Sequence, residues 1–207
     1  MRTESLMIPG PAGGIETDIA MPEGVARGIA LIAHPNPLQG GSKDNKVVTT
    51  LARVFTGLGY VSLRPNFRGV GASAGVHDKG MGETDDLLAV IAHAQKTLKN
   101  QTLILAGFSF GSFVQTRVAQ RLMHGHAPEH APERMVLVGP AVNRFPAEPV
   151  IENTLVVHGE QDDVVPLADV MNWARPQNLP VVVLPGGDHF FHGRLHLLAN
   201  IVKRWCA

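Results

Sequence analysis

Residues 102–111 read TLILAGFSFG, and this stretch decides the fold. The apolar run over 102–106 predicts a buried strand, and a helical pattern follows at about 112–122. Between them, residues 107–111 match the pattern G-x-S-x-G. The serine of this pattern occupies a strained turn between a strand and a helix, where glycine neighbours let the backbone pass closely. The stretch predicts that Ser109 is a nucleophile, and a plain tight turn is the alternative interpretation.

Short apolar runs alternate with longer stretches of helical spacing along the rest of the chain. The predicted strands cover 28–33, 60–64, 135–138, 154–158 and 181–184, and the further predicted helices cover 44–58, 82–98, 167–174 and 190–204. This alternation indicates an α/β fold with a mostly parallel central sheet and helices on both faces. Two weaker stretches, 4–8 and 15–20, predict a hairpin at one edge of the sheet. No linker or composition shift divides the chain, so we expect a single domain over residues 1–207.

Polar residues follow two more predicted strands, at the edge of the sheet where ligands bind in parallel folds. Asp162 and Asp163 follow the strand at 154–158, and either carboxylate is a candidate to orient a histidine. An acidic loop that caps the next helix is the alternative for each. His189 follows the strand at 181–184, where an imidazole can take a proton from a serine. A surface histidine is the alternative there, but the order Ser, Asp, His at three strand ends favours a catalytic set.

The loop after the strand at 28–33 is a candidate source of backbone donors for an oxyanion. Two fixed N–H groups are needed, and the residue after the nucleophile, Phe110, is expected to supply one. Pro35 and Pro37 have no N–H, so Asn36 is the first plausible second donor and Leu38 is the fallback. A rigid turn without a catalytic role is the alternative interpretation.

Together these motifs resemble the α/β-hydrolase superfamily, and more narrowly the small lidless bacterial serine hydrolases related to dienelactone hydrolase. The resemblance runs from about residue 15 to 204 and is carried by 34–37, 64–73, 107–111, 158–166 and 187–189. It implies the α/β-hydrolase fold and a catalytic triad of Ser109, Asp162 and His189. The family pattern His-Gly-x-x-Asp-x-x-Val-Pro aligns Asp162, and not its neighbour, with the acid. Two departures are a serine where dienelactone hydrolases have cysteine and a proline at position 35 where many relatives have glycine.

The resemblance also implies the reaction. Lid domains of the superfamily usually enter between the strands at 135–138 and 154–158, where only about fifteen residues lie, so we expect no lid and an open site. An open site favours hydrolysis of soluble carboxylic esters or thioesters. An acyltransferase, an amidase and a non-catalytic binding module are the alternatives. Four aromatic side chains are candidates to line an acyl site, with core packing as their alternative: Phe108, Phe110, Phe190 and Phe191.

Composition limits the possible partners. Lys+Arg and Asp+Glu number 18 each, so the chain has no basic excess to attract nucleic acid or anionic membranes, and a small-molecule ester is the expected partner. No apolar run approaches the ~20 residues of a membrane span, and the first twenty residues lack the apolar region of a signal peptide. A cytoplasmic location is therefore expected.

No cofactor or metal is expected either. The single cysteine, Cys206, excludes a Cys-cluster metal site, and the chain has no P-loop and no well-placed dinucleotide fingerprint. The histidine-rich loop 124–130 is expected to be solvated and not to bind a metal. His77 and Asp78, which follow the loop 68–73, are candidates for the rim of the site.

Overall fold

The computed structural model describes residues 2–98, 102–125 and 131–207. The strands are β1 (Arg2–Gly10), β2 (Gly13–Met21), β3 (Gly28–Ala33), β4 (Tyr60–Pro65), β5 (Thr102–Phe108), β6 (Arg134–Val138), β7 (Thr154–Gly159) and β8 (Val181–Leu184). The α-helices are α1 (Lys46–Gly57), α2 (Met81–Leu98), α3 (Phe110–Met123), α4 (Leu167–Ala174) and α5 (Leu195–Cys206). Within these ranges, single-turn 3-10 helices lie at Pro37–Gln39 and Arg175–Gln177.

Within the described residues, all eight strands form one sheet in the order β1-β2-β4-β3-β5-β6-β7-β8. Strands β3 to β8 are parallel to one another, whereas β2 is antiparallel to both β1 and β4. The α/β-hydrolase fold and its edge hairpin are therefore confirmed. The parallel order brings the carboxyl ends of β3, β5, β6, β7 and β8 to one edge of the sheet, where the candidate site lies.

Alternate residues of the central strands face the two layers of helices. On β3, Ile29 and Leu31 belong to the core under α2 and α3, whereas Ala30 and Ile32 belong to the core under α1 and α5. All four side chains are fully buried. A strand that is apolar at every position is thus covered on both faces, as the continuous apolar runs predict.

Helix α5 begins at Leu195, five residues later than its predicted start at 190. The backbone explains the difference, because Phe191 and Gly193 both have a positive φ, at 56° and 67°. A residue in the left-handed region interrupts an α-helix, so the segment before Leu195 forms turns. Helix α3 instead begins earlier than predicted, directly after Ser109.

The segment 139–153 between β6 and β7 contains neither helix nor strand. Lid domains of the superfamily enter at this position. The short irregular segment leaves no lid there and confirms the lidless architecture. Across the described ranges, no helix is long and apolar enough to cross a membrane.

Candidate active site

Ser109 occupies the turn between β5 and α3 with φ 54° and ψ −117°. This left-handed backbone is strained for a residue with a side chain. The flanking glycines are needed for close packing: a Cβ on Gly107 would lie 2.6 Å from the backbone of Gly111, and one on Gly111 would lie 2.3 Å from the carbonyl oxygen of Ala33. The structure therefore has the sharp turn that the G-x-S-x-G pattern predicts.

The side chains of Ser109, His189 and Asp162 form a continuous hydrogen-bonded chain. His189 Nε2 lies 3.0 Å from Ser109 Oγ, and His189 Nδ1 lies 2.7 Å from Asp162 Oδ2. Because the ionised carboxylate only accepts, Nδ1–H donates to Asp162 and Nε2 is left to accept the Ser109 hydroxyl proton. The structure thus brings together all three residues that the sequence singles out, and it leaves Asp163 exposed outside the chain.

The loop after β7 holds the Asp162 carboxylate in place. Its Oδ1 accepts hydrogen bonds from the backbone N–H of Val164 at 2.9 Å and of Val165 at 2.7 Å. Burial acts to raise the pKa of Asp162, but the hydrogen bonds from His189 and Val165 together outweigh it, and the pKa lies below its ordinary value. Asp162 is therefore ionised and oriented towards His189.

His158, at the end of β7, supports the same loop. Its ring is fully buried, and Nε2–H donates to the carbonyl oxygen of Val165 at 2.8 Å. The same nitrogen lies 3.5 Å from Asp162 Oδ2. Burial lowers the pKa of His158, so its imidazole is neutral. The family pattern includes His158, but the sequence assigns it no role, because a histidine within an apolar strand carries no signal of its partner.

Two backbone N–H groups near Ser109 are available as oxyanion donors. Phe110 is the first residue of α3, so its N–H precedes the first acceptor within the helix. In the loop after β3, Asn36 N–H donates to no backbone acceptor among the described residues. The fallback residue Leu38 is engaged, because its N–H donates to Asn36 Oδ1 at 2.9 Å. This geometry favours Asn36 over Leu38.

His34 fixes the loop that carries Asn36. Its buried ring donates from Nδ1 to the carbonyl oxygen of Pro35 at 2.7 Å and accepts at Nε2 from the Phe67 N–H at 2.9 Å. Burial lowers the pKa of His34 to about 4, so the ring is neutral and can donate on one side and accept on the other. His34 therefore ties the turn after β3 to the turn after β4.

Ser109 and His189 line a cleft of about 330 Å³. Its lining comprises Pro35, Asn36, Gln39, Gly40, Gly41, Asn45, Ser109, Arg144, Val164, His189 and Phe190. Of the four aromatic residues predicted to line an acyl site, Phe190 lines this cleft, and its side chain is 45% exposed. The same expectation is wrong for Phe108, Phe110 and Phe191, which are fully buried and pack in the core.

The remaining sequence candidates lie away from this cleft or outside the described residues. The His77 ring packs against Phe110 at 5.3 Å, and its Nδ1 lies 2.9 Å from Glu83, but neither His77 nor Asp78 lines the cleft. Most of the histidine-rich loop, residues 126–130, lies outside the described part of the chain. Among the residues that are described, no three His, Cys, Asp or Glu side chains cluster closely enough to hold a metal ion.

A family profile described as "Serine aminopeptidase, S33" matches residues 38–152, which is more than half of the chain. The chain belongs to this α/β-hydrolase family. The matched segment of the hydrolase contains Ser109 and ends before Asp162 and His189, so the positions of the acid and the base rest on the geometry above.

Two solved structures described as α/β serine hydrolases are similar to this chain along nearly its whole length. The hydrolase is 34% identical to a lidless α/β serine hydrolase from Xanthomonas campestris, with a TM-score of 0.90 over 99% of this chain and 94% of that one. It is 38% identical to an α/β serine hydrolase homologue from Coxiella burnetii, with a TM-score of 0.86 over 100% and 99% of the two chains. An uncharacterised protein of Rickettsia prowazekii is 32% identical over 88% of this chain and 79% of its own length. The narrower relation to dienelactone hydrolase stays a prediction.

Proposed function

We propose that this hydrolase cleaves carboxylic esters or thioesters through an acyl-enzyme on Ser109. The observation that carries the proposal is the hydrogen-bonded chain from Ser109 through His189 to Asp162 at the floor of an open cleft. A serine with a neutral imidazole within hydrogen-bond reach, itself oriented by a carboxylate, is an activated nucleophile. Neither a metal ion nor a cofactor has a role in this scheme.

Each group has one task in the reaction. Ser109 Oγ attacks the acyl carbonyl while His189 Nε2 takes its proton, and Asp162 stabilises the imidazolium that forms. The N–H groups of Phe110 and Asn36 donate to the oxyanion of the tetrahedral intermediate, and one such donor contributes about 3 kcal/mol to lowering the barrier. His189 then protonates the leaving alkoxide. A water molecule, deprotonated by the same imidazole, attacks the acyl-enzyme; the acyl–Oγ bond breaks, His189 returns the proton to Ser109 Oγ, and the acid is released.

The shape of the cleft supports hydrolysis. The segment 139–153, where a lid would enter, is short and irregular, and Ser109 lines the cleft, which gives water a route to the acyl-enzyme. Deacylation by water requires that access, whereas a transferase must keep water from its acyl-enzyme. The open cleft therefore favours a hydrolase over an acyltransferase with the same catalytic set.

The family description raises aminopeptidase activity as a second candidate function. An aminopeptidase must recognise the ammonium group at the substrate's N-terminus, and a carboxylate is the usual partner for a cation. Among the described residues, no Asp or Glu lines the cleft around Ser109. The lining thus favours esters over N-terminal peptides. Release of p-nitroaniline from an aminoacyl p-nitroanilide, compared with p-nitrophenol from p-nitrophenyl butyrate, separates the two activities.

The first test is covalent labelling of the wild type, Ser109→Ala and Ser42→Ala with a fluorophosphonate, measured as intact mass. We expect one adduct on the wild type and on Ser42→Ala, and none on Ser109→Ala. Ser42 is a suitable control because it is a half-buried serine in the loop before α1. Hydrolysis of p-nitrophenyl butyrate should follow the same ranking.

Two results would overturn the proposal. A folded wild type that forms no adduct and cleaves neither ester nor anilide is not a serine hydrolase, and the binding-module alternative then applies. An adduct that persists on Ser109→Ala assigns the nucleophile to another residue.

A further inference from the structure

Arg144 lines the same cleft as Ser109 and His189, and its side chain is exposed. Among the described residues, its guanidinium forms neither a side-chain hydrogen bond nor an ion pair. Other arginines near the carboxyl edge of the sheet differ in this respect: Arg64 pairs with Asp18 at 2.9 Å, and Arg68 pairs with Asp86 at 2.8 Å. Arg144 therefore presents a free cation to whatever occupies the cleft.

The backbone around Arg144 is fixed even though its side chain is free. On one side, Asn143 Nδ2–H donates to the carbonyl oxygen of Val164 at 3.1 Å, in the loop that holds Asp162. On the other side, the Phe145 ring stacks on Phe113 at 4.9 Å and meets Phe110 edge-on at 5.0 Å. The backbone of Arg144 is thus anchored to the acid loop and to the helix that follows Ser109, which fixes the point from which its free side chain extends.

The rest of the cleft leaves this charge uncompensated. Apart from Ser109 and His189, the other polar side chains of the lining are the uncharged Asn36, Gln39 and Asn45. The Asp162 carboxylate is buried, and both of its oxygens already accept hydrogen bonds from His189, Val164 and Val165. The mouth of the site therefore favours an anion, and the planar fork of guanidinium N–H donors matches a carboxylate.

We infer that the substrate is an ester that carries a carboxylate group, and that Arg144 binds this group while Ser109 attacks the ester carbonyl. The inference rests on the proposed ester hydrolysis and adds the substrate class to it. Arg144 is assigned to substrate binding and specificity and takes no part in proton transfer.

The test compares matched pairs of chromogenic esters. One pair is mono-p-nitrophenyl glutarate and its neutral methyl ester, which differ in charge on the acyl side. The other pair is the butyryl ester of a hydroxynitrobenzoate and p-nitrophenyl butyrate, which differ in charge on the leaving group. The measured quantity is the ratio of kcat/KM for the anionic ester to that for its neutral partner.

In the wild type, we expect this ratio to be highest for the pair whose carboxylate reaches Arg144, and to fall as salt is added. Arg144→Gln should lower the ratio for that pair about tenfold, the size of one charge-assisted contact at a partly exposed site. Arg144→Glu should lower it further, because the new charge repels the carboxylate. The affected pair identifies the side of the substrate that Arg144 binds.

Arg53→Gln is the matched control. Arg53 is likewise exposed and without an ion pair, but it lies on α1 two turns beyond Asn45, roughly 12 Å along the helix. Its substitution should leave both ratios unchanged. Because each ratio includes a neutral ester, a variant that merely misfolds loses both rates and cannot imitate a change of specificity.

The outcomes separate the two proposals. If the wild type cleaves the neutral esters and both ratios are the same in the wild type and in Arg144→Glu, the anionic substrate class is wrong and ester hydrolysis stands. If the folded wild type cleaves no ester of either pair, ester hydrolysis and the substrate class fail together.

Discussion

Asp162 and Asp163 are neighbours in sequence, but their surroundings differ. Asp162 is 7% exposed, and its two oxygens accept hydrogen bonds from His189 and from the backbone of Val164 and Val165. Asp163 is exposed to solvent. Burial and a complete set of donors suit a carboxylate that must orient an imidazole, so the contribution of each aspartate can be measured separately.

We expect Asp162→Asn to lower kcat for p-nitrophenyl butyrate by about 10⁴-fold, because an amide neither stabilises the imidazolium nor holds the required tautomer. Asp163→Asn should leave kcat close to that of the wild type. Steady-state rates on the two purified variants, with folding checked by circular dichroism, measure the difference. The reverse ranking would assign the acid to Asp163.

For single residues, the sequence predicts roles that depend on a motif in the neighbouring residues. It does not predict roles that depend on contacts with distant parts of the chain. Ser109 and His189 could be predicted because each follows a strand within a motif. His34, His158 and Arg144 could not, because their roles depend on partners from other elements: Phe67, Val165 and the cleft itself. The choice between Asp162 and Asp163 came from the family pattern and not from the residues alone.

Among the elements, the contact between β3 and the start of α3 leaves no room for a side chain. The two elements meet at Gly111, where any side-chain carbon would collide with the Ala33 carbonyl oxygen. Backbone atoms on both sides cannot move apart without disturbing the sheet. This contact also keeps the Asn36 loop, which follows β3, beside the nucleophile turn.

Gly111→Ala should therefore lower the free energy of unfolding by several kcal/mol or prevent folding. Gly57→Ala is the matched control, since Gly57 is the last residue of α1 and a Cβ there meets no atom within 4 Å. We expect the control to be neutral or to stabilise the protein by up to about 1 kcal/mol. Urea denaturation of both variants measures these changes, and equal stabilities would mean that the nucleophile turn is looser than described.

Strand positions could be predicted closely because strands covered on both faces are apolar at every residue. The start of α5 could not, because the hydrophobic spacing continues through residues 190–194 while the backbone leaves the helical region at Phe191 and Gly193. Phe191 combines a positive φ with a fully buried side chain, and no residue pattern encodes that combination.

Across the whole molecule, polar side chains link the loops at the carboxyl edge of the sheet. Lys43 Nζ lies 3.0 Å from Asp18 Oδ2 on β2, and Arg64 on β4 donates to the Lys43 carbonyl oxygen at 2.7 Å. His34 forms a further link between the turns after β3 and β4. Since His34 is neutral when folded and titrates near neutrality when unfolded, this link makes global stability depend on pH.

The pKa of His34 is about 4 in the folded protein and 6.5 when exposed, so the unfolded chain takes up the proton first as the pH falls. The stability associated with His34 is thus fully present above pH 6.5 and is lost as the pH falls towards about 4. Between pH 7 and pH 5, we expect the free energy of unfolding of the wild type to fall about 2 kcal/mol more than that of His34→Gln.

Urea denaturation at several pH values measures this difference. His93→Gln, which removes an exposed histidine on α2, should follow the wild-type curve. Parallel curves for the wild type and His34→Gln would mean that the folded protein protonates His34 as readily as the unfolded chain.

In the proposed mechanism, Ser109 and its base His189 lie 80 residues apart in the chain, and His189 follows the last strand of the sheet. At a synthesis rate of about 5–20 residues per second, a ribosome exposes the nucleophile roughly 4 to 16 s before the histidine. During that interval the nascent chain carries an inert hydroxyl, and it cannot attack esters in its surroundings while it is still folding. Premature termination anywhere before β8 likewise yields an inactive fragment. Detectable turnover therefore reports that synthesis has passed the last strand and that this strand has docked.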